Sequence, residues 1–165
     1  MPIPDISQPE MLPVADNVRL RRIDGEFAFA LAWYQDTELV WMVDGNRIPY
    51  SMERLRRMYT WLDAHGELYF IEVQEKGVWK PVGDVTFWQE DMPIVIGDAA
   101  YRGKGLGKSV IAALINRGRE LGYQTLSVEE IYHWNSASRA CFESLGFRQN
   151  RKTAKGCSYQ LQIGS

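Results

Sequence analysis

Residues 93–108 constrain the fold more than any other stretch of this sequence. They read as an apolar strand, a turn that begins at Asp98, a basic glycine-rich loop, and the start of a helix with apolar residues at helical spacing. The first N–H groups of a helix have no partners within it, and the helix dipole is positive at that end. A glycine-rich loop followed at once by a helix therefore indicates a place that attracts phosphate.

Spacing excludes two of the three phosphate-binding patterns that these residues could follow. A P-loop that ends on Gly107, Lys108 and Ser109 would place its first glycine at Arg102. The third glycine of a dinucleotide-binding fingerprint would fall at Lys108 or Val110. Both patterns are therefore incomplete here.

The third pattern, Arg102-x-x-Gly105-x-Gly107 between a strand and a helix, does fit. It resembles the coenzyme A pyrophosphate loop of the GNAT superfamily of acetyltransferases. A second motif occupies residues 135–147, where an asparagine follows a strand and a short helix leads to a Leu-Gly-Phe sequence. It is similar to the second motif of the same superfamily and comes in the same order. The resemblance covers the chain closely from about residue 68 onward, and the first half only by its order of elements.

The composition is typical of a soluble globular protein. The chain has 165 residues, 45% of them hydrophobic and 24% charged, which allows one good core and is too little for two domains of ordinary size. We expect a single domain over residues 1–165, with an extended segment over residues 1–16. The chain has 19 Lys and Arg residues and 21 Asp and Glu residues. Because it has no excess of basic residues, neither nucleic acid nor an anionic membrane surface is favoured as a partner.

The sequence predicts neither a metal site nor secretion. His65 and His133 lie far apart, without a cluster of cysteines around them. No stretch approaches the roughly 18 apolar residues of a membrane span, and the proline-rich start lacks the apolar segment of a signal peptide. We therefore expect a cytoplasmic protein in which Cys141 and Cys157 stay reduced.

Periodicity predicts a strand, two helices, two strands, the strand before the glycine-rich loop, a helix, a strand, a helix and a closing hairpin. Asp24 is the expected cap of the first helix, and Ser51 caps the second, which ends at Gly66. Residues 35–50 read as irregular, either a loop that wraps around a substrate or a surface loop with a buried tryptophan. The helix after the glycine-rich loop joins two strands as a crossover, so these strands should be parallel.

The resemblance implies an α/β (α+β) fold of the GNAT type, with a central mixed sheet of about six to seven strands and about four helices. Two neighbouring parallel strands would splay apart there to bind acetyl-coenzyme A. By position, the backbones of Ile94 and Ile96 and the side chain of Asn135 would bond to the pantetheine arm. The pyrophosphate would lie on the loop residues Arg102, Gly103, Lys104, Gly105, Leu106, Gly107 and Lys108.

The resemblance also implies acetyl transfer to an amine, with acetyl-coenzyme A as cosubstrate and without a metal. A primary alkyl amine is only about 0.1% neutral at pH 7, so a base should assist. Glu130 is the predicted base, because branches that acetylate ribosomal-protein N-termini or aminoglycosides can carry an acidic residue five positions before the asparagine. Strand alternation sends Glu129 and Glu130 to opposite faces, and either could face the cleft. Asp84, Glu90 and Asp91 are lesser candidates.

The predicted acid departs from the usual pattern of the superfamily. Many members place a tyrosine seven residues after the asparagine, but Phe142 at that position has no proton to give. Ser138 resembles instead the serine that has been proposed to meet the coenzyme sulfur in the ribosomal-protein branch. Tyr132, Tyr159 or water could take its place.

The amine acceptor is the part of the function that the sequence constrains least. Trp33, Asp36, Trp41 and Tyr132 are predicted to line an aromatic and acidic pocket for a cation, although aromatic residues are also common as simple packing. The expected acceptor is a small polycationic amine, such as an aminoglycoside or a polyamine, or a protein N-terminus. The alternative is a non-catalytic module that binds and senses acyl-coenzyme A, and the protein is expected to be a monomer or a homodimer.

Overall fold

A long antiparallel hairpin lies at the centre of the larger of two sheets. Its two strands join through Lys76 and Gly77, whose φ angles of 51° and 78° are both positive, as in a type I′ turn. The computed structural model describes residues 1–164. The strands are β1 (Met11–Ala15), β2 (Val18–Arg22), β3 (Glu67–Glu75), β4 (Val78–Phe87), β5 (Ile94–Ile96), β6 (Thr125–Tyr132), β7 (Arg148–Lys152) and β8 (Gly156–Gln162). β1 to β5 pair in sequence order, and the smaller sheet has the order β6, β8, β7.

Five α-helices cover these sheets. They are α1 (Leu31–Tyr34), α2 (Thr37–Asp44), α3 (Met52–His65), α4 (Leu106–Glu120) and α5 (Ser136–Ser144). Side chains cap three of them at their first turn, with Asp36 before α2, Ser51 before α3 and Asn135 before α5. None of the helices within residues 1–164 is long and apolar enough to cross a membrane.

The larger sheet separates two hydrophobic cores, because successive residues of a strand point to opposite faces. Tyr69 and Ile71 of β3 belong to the core that includes the buried sides of α4 and α5. Leu68 and Phe70 belong to a second core with α1, α2 and α3. This second core is rich in aromatic rings, and it lies on the side of the sheet where the first half of the chain folds.

The predicted α/β fold of the GNAT type is confirmed, with two differences in detail. The strands form two separate sheets, each with antiparallel pairs, instead of one continuous mixed sheet. The described residues also form more strands and more helices than the sequence predicted, partly because β1 lies within the segment that was expected to be extended. The division into two sheets arises where β5 and β6 do not pair.

α2 corrects the prediction that residues 35–50 are irregular throughout. The Asp36 carboxylate accepts hydrogen bonds from the N–H groups of the first turn, and Gly45 ends the helix in the left-handed region at φ 73°. Both signals were present in the sequence. Gly45 and Pro49, which lie close together, favoured an irregular segment instead.

The prediction that Asp24 caps the first helix is also wrong. Its carboxylate accepts a hydrogen bond from the N–H of Glu26, which closes a local turn. The helical region begins later, as a 3-10 turn over Ala28–Ala30 that continues into α1. An aspartate forms such turns as readily as helix caps, so its presence alone did not locate the start of the helix.

Candidate active site

The two sheets meet near the start of β5 and β6. The carbonyl of Gln89 accepts a hydrogen bond from the N–H of Ser127 at 3.0 Å, and the carboxylate of Asp91 accepts one from the N–H of Glu129 at 3.2 Å. Beyond this junction, no backbone ladder joins β5 to β6 in the part of the chain that the structure describes. A gap therefore opens between the two strands.

β5 turns backbone groups toward this gap. The N–H of Thr86 donates to the carbonyl of Pro93 at 3.0 Å, which sets the alternation of bonds between β4 and β5. Val95 then forms the next bonded pair with β4. Its neighbours Ile94 and Ile96 point their N–H and C=O groups the other way, so these groups face the gap.

The side chain of Arg102 closes over the end of β5. Its Nε donates to the carbonyl of Ile96 at 2.8 Å, and its Nη2 donates to the carbonyl of Gly97 at 3.1 Å. The same Nη2 lies 3.9 Å from the carboxylate of Asp36, at the first turn of α2. Arg102 thus connects the glycine-rich loop with β5 and with α2.

The glycine-rich loop has the geometry of an anion site. Gly103 and Gly105 adopt φ angles of 72° and 80°, which side chains rarely adopt, and a Cβ at either position would meet nothing within 4 Å. α4 starts at Leu106, and the N–H groups of its first turn have no helical partners. Lys104 and Lys108 are exposed beside them. This combination of open space, free N–H groups and positive charge can hold a diphosphate.

The second sequence motif begins at Asn135, which caps α5. The Oδ1 of Asn135 accepts a hydrogen bond from the N–H of Ser138 at 3.1 Å, a bond that does not use the amide nitrogen. α5 packs against the start of α4, since a Cβ on Gly107 would lie 3.8 Å from the Sγ of Cys141. Phe142 is buried in the core, so the position where many members of the superfamily have a tyrosine contributes packing here.

α1 and α2 form an arch from the end of β5 to the end of β6. Trp33 packs on Gly97 so closely that a Cβ there would lie 2.2 Å from the indole. At the other end, Trp41 stacks on Trp134 with ring centroids 4.5 Å apart, and the Nε1 of Trp134 donates to the carbonyl of Trp41 at 3.0 Å. Tyr132, the last residue of β6, also stacks on Trp134. Because β5 and β6 start together and end beside the same arch, they run parallel.

The charged groups of the arch are largely paired with one another. Asp36 caps α2 and faces Arg102, and the guanidinium of Arg47 lies 3.3 Å from Glu38. Arg47 also sits 4.6 Å from the centroid of the Trp41 ring, which is stacked on Trp134 as well. A cationic acceptor would therefore have to compete with Arg47 for Trp41.

Glu130 lies near the end of β6, where the arch meets that strand, and the β7–β8 hairpin binds its carboxylate. Its Oε2 accepts a hydrogen bond from the N–H of Lys155 at 3.0 Å. The hydroxyl of Thr153 and this N–H group keep the pKa of Glu130 below its usual range. Burial, followed by the charges of Glu130 and Asp44, raises the pKa of Tyr132, so these groups are near one another.

A buried carboxylate in β4 is the feature of this region that the sequence indicated least. Asp84 is 2% exposed, and its Oδ2 accepts hydrogen bonds from the hydroxyls of Tyr34 at 2.6 Å and Tyr59 at 2.8 Å. Burial raises the pKa of Asp84 to about 6, although the two hydroxyls act in the opposite direction. The available signal was an aspartate within the apolar strand of residues 82–88. Its tyrosine partners are 50 and 25 residues away in the sequence.

A metal centre finds no support in the structure. Among residues 1–164, no three or more histidines, cysteines, aspartates and glutamates are grouped to hold a metal ion. Cys141 and Cys157 are both free thiols.

Comparisons with known proteins agree with this geometry. The sequence profile of the Acetyltransferase (GNAT) family matches residues 30–147. Three solved structures share the fold. A GNAT-family acetyltransferase from Bacillus anthracis is 14% identical, with a TM-score of 0.74, and the match covers 93% of this chain and 98% of that one. The structure of yncA from Salmonella typhimurium with acetyl-CoA is 19% identical, with a TM-score of 0.64 and coverages of 91% and 96%, and RimL, a ribosomal L7/L12 alpha-N-protein acetyltransferase with coenzyme A, is 17% identical, with a TM-score of 0.72 and coverages of 93% and 98%. Among curated protein sequences, none matches this chain.

Proposed function

Because this chain belongs to the GNAT family of acetyltransferases, we propose that it transfers the acetyl group of acetyl-coenzyme A directly to a primary amine. The gap between β5 and β6 is the observation that carries this proposal. The gap places unpaired backbone groups of β5, the glycine-rich start of α4 and the arch of α1 and α2 around one space. Two substrates can therefore meet there, the thioester along β5 and the amine beneath the arch.

Apart from Arg102 and the carbonyl of Ile96, which bond to each other, the proposed coenzyme contacts use groups that are open in this structure. The backbones of Ile94 and Ile96 would bond to the pantetheine arm as an added strand would, and the amide nitrogen of Asn135 would donate to the same arm. The diphosphate would be held by Arg102, Gly103, Lys104, Gly105, Leu106, Gly107 and Lys108. Since Arg102 now donates to the carbonyl of Ile96, its guanidinium has to turn toward the diphosphate, which attracts it electrostatically.

Direct transfer needs an electrophile and two proton transfers. The amine nitrogen bonds to the acetyl carbon, the bond between that carbon and sulfur breaks, and a proton leaves the nitrogen. The N–H of Ile96 would polarise the carbonyl, and a donor of this kind is typically worth about 3–4 kcal/mol. Ser138, in the first turn of α5, stays the predicted proton donor to the departing thiolate.

Glu130 stays a predicted base, and its position near the end of β6, beside the arch, is compatible with that role. Two observations weaken it. Its carboxylate accepts hydrogen bonds from the β7–β8 hairpin, and these bonds keep its pKa low. A carboxylate with a lowered pKa is a poorer proton acceptor at neutral pH than one whose pKa is raised toward 7.

The proposed acceptor enters beneath the arch, past Trp33, Asp36, Trp41 and Tyr132. A small polycationic amine and a protein N-terminus are the two classes that we propose to compare. The net charge of −2 slightly favours the polycation, while the description of RimL as an alpha-N-protein acetyltransferase supports testing peptides. We also propose that the chain acts in the cytoplasm as one domain over residues 1–165.

The test is a measurement of acetyl transfer over a panel of amines. Purified protein is incubated with acetyl-CoA and, separately, an aminoglycoside, a polyamine and short peptides with free N-termini. Released coenzyme A is measured with a thiol reagent and the product by mass spectrometry. We expect stoichiometric coenzyme A and acetylated amine with at least one class. Tight coenzyme binding without any transfer would indicate a binding and sensing module instead.

A further inference from the structure

We propose that Arg102 couples the two substrate sites, because its guanidinium neutralises the carboxylate of Asp36 as long as no coenzyme is bound. When a diphosphate draws the guanidinium away, Asp36 becomes free to bind the ammonium group of the acceptor. Asp36 is then a residue that selects a cationic acceptor, and Arg102 regulates it. This inference rests on the proposed function and adds the regulation of its acceptor site.

The contacts of Arg102 place Asp36 at the end of β5, where the gap lies. The Nη2 of Arg102 donates to the carbonyl of Gly97 at 3.1 Å and lies 3.9 Å from the Oδ2 of Asp36. Its Nε donates to the carbonyl of Ile96 at 2.8 Å. One guanidinium therefore reaches both the strand edge and the carboxylate. The side chains of Arg102 and Asp36 are 38% and 41% exposed, so ligands in solution can reach both.

The two carboxylate oxygens of Asp36 have separate roles. Oδ1 accepts hydrogen bonds from the N–H groups of Glu38 at 3.0 Å and Leu39 at 3.4 Å, and these bonds cap α2. No residue of the described range 1–164 donates a hydrogen bond to Oδ2, since the Nη2 of Arg102 at 3.9 Å is too distant for one. An ammonium group could donate to this oxygen. Asp36 can therefore bind an acceptor while it continues to cap α2.

A bound diphosphate would compete well for the guanidinium of Arg102. In the free protein this group binds two neutral carbonyls and faces one partly exposed carboxylate. An exposed ion pair contributes little, whereas phosphate offers charged oxygens in a geometry that suits a guanidinium. The same movement would free the carbonyl of Ile96 for the pantetheine arm and the Oδ2 of Asp36 for the acceptor. Because coupling between two sites is reciprocal, an acceptor at Asp36 would also favour coenzyme binding.

Glu38 provides a matched control for Asp36. It carries the same charge in the same first turn of α2, and its side chain is exposed. Its ion-pair partner is Arg47, at 3.3 Å, instead of Arg102. A general effect of negative charge near the glycine-rich loop would be similar for both carboxylates. An effect that depends on the guanidinium of Arg102 would be specific to Asp36.

The first measurement is the affinity for coenzyme A alone, by titration calorimetry. Asp36→Asn should bind coenzyme A about two- to fourfold more tightly, the range that an exposed ion pair allows, because the guanidinium is no longer held by a carboxylate. Asparagine caps helices as well as aspartate does, and circular dichroism checks that the fold is kept. Glu38→Gln should stay near wild type. In the background of Arg102→Gln, which binds coenzyme A more weakly, Asp36→Asn should give no gain.

The second measurement is the affinity for the amine of the panel that reacts fastest. It is titrated into the free protein and into protein saturated with coenzyme A, which carries no acetyl group to transfer. We expect coenzyme A to raise the amine affinity of the wild type at least about threefold. This factor should fall to about one in Asp36→Asn and in Arg102→Gln, and it should persist in Glu38→Gln. The free Arg102→Gln variant should bind the amine more tightly than the free wild type.

The two titrations separate this inference from the proposed function. Equal coenzyme affinity in Asp36→Asn and the wild type, or an equal gain in Glu38→Gln, would overturn the inference while acetyl transfer stands. An amine affinity that coenzyme A leaves unchanged in the wild type would overturn it as well. Absence of acetyl transfer to every amine of the panel would overturn the proposed function. The coenzyme titration needs no amine, so it would still decide whether Asp36 restrains Arg102.

Discussion

Gly105 and Gly122 share a backbone conformation but differ in their place along α4. Their φ angles are 80° and 82°, and a Cβ at either position would meet no atom within 4 Å. Gly105 precedes the first turn of the helix, beside the exposed lysines of the loop, whereas Gly122 follows its last turn. The backbone conformation therefore favours glycine equally at both positions, but only Gly105 borders the proposed diphosphate site.

Gly105→Ala should lower the affinity for coenzyme A at least tenfold, because the added methyl group takes space beside the N–H groups that would bind the diphosphate. Gly122→Ala is the matched control. Each variant should lose about 1–2 kcal/mol of stability from the strain of a left-handed alanine. Titration calorimetry and thermal unfolding measure the two effects. Unchanged affinity in Gly105→Ala would remove the loop from the coenzyme site.

At the scale of elements, α4 is anchored to β3 far from the glycine-rich loop that precedes it. Arg117 binds Glu67 through two hydrogen bonds of 3.0 and 2.7 Å, and the Glu67 side chain is 1% exposed. The hydroxyl of Tyr69 donates to the same carboxylate, and Arg117 also reaches the carbonyl of Ser7. This buried ion pair holds the helix, the sheet and the N-terminal segment together.

Arg117→Leu should destabilise the protein by about 3–5 kcal/mol, because it leaves the Glu67 carboxylate buried without its partner. The double variant Glu67→Leu with Arg117→Leu should recover much of this loss, since it removes both charges. Urea unfolding measures the difference. Arg117 lies eleven residues after Leu106, which is about 16 Å along the helix, so the folded variant should keep its affinity for coenzyme A. A loss of less than about 1 kcal/mol in the single variant would mean that solvent reaches this pair.

At the scale of the whole molecule, two sheets meet near the start of β5 and β6 and are bridged by the arch at the other end. The arch binds β5 through Trp33 and Arg102, and it binds β6 through Trp41 and its stack on Trp134. A ligand in the gap would add a third connection between the sheets. Since ligands that bind the folded state stabilise it, coenzyme binding should stabilise the connection between the two sheets across this gap.

Hydrogen exchange can detect this third connection in single amides. We expect the N–H groups of Ile94 and Ile96 to exchange rapidly in the free protein, because they face the gap, and to become protected when coenzyme A is added. The N–H of Val95 provides an internal control, since it is already paired with β4. Equal protection of all three amides before and after addition would contradict the proposed mode of coenzyme binding.

Local motifs predicted the site best where a few neighbouring residues determine the backbone. The glycine-rich loop before α4, the caps at Ser51 and Asn135, and the crossover helix follow from short-range geometry, and each was expected from the sequence. The structure adds that Gly103 and Gly105 are left-handed. α2 shows the limit of this approach. Asp36 and Gly45 were correct start and stop signals, but the same residues also occur in turns, and the packing of the helix decided between the two.

The sequence by itself determined the strand, loop and helix that form the proposed coenzyme site, because those conformations depend on residues within a few positions of one another. Only the tertiary structure decided which distant side chains meet around α1 and α2. Trp41 meets Trp134, and Tyr34 meets Asp84, across 93 and 50 residues of chain. Such contacts depend on how helices dock on the sheet. The same docking excludes water from Asp84 and thereby raises its pKa.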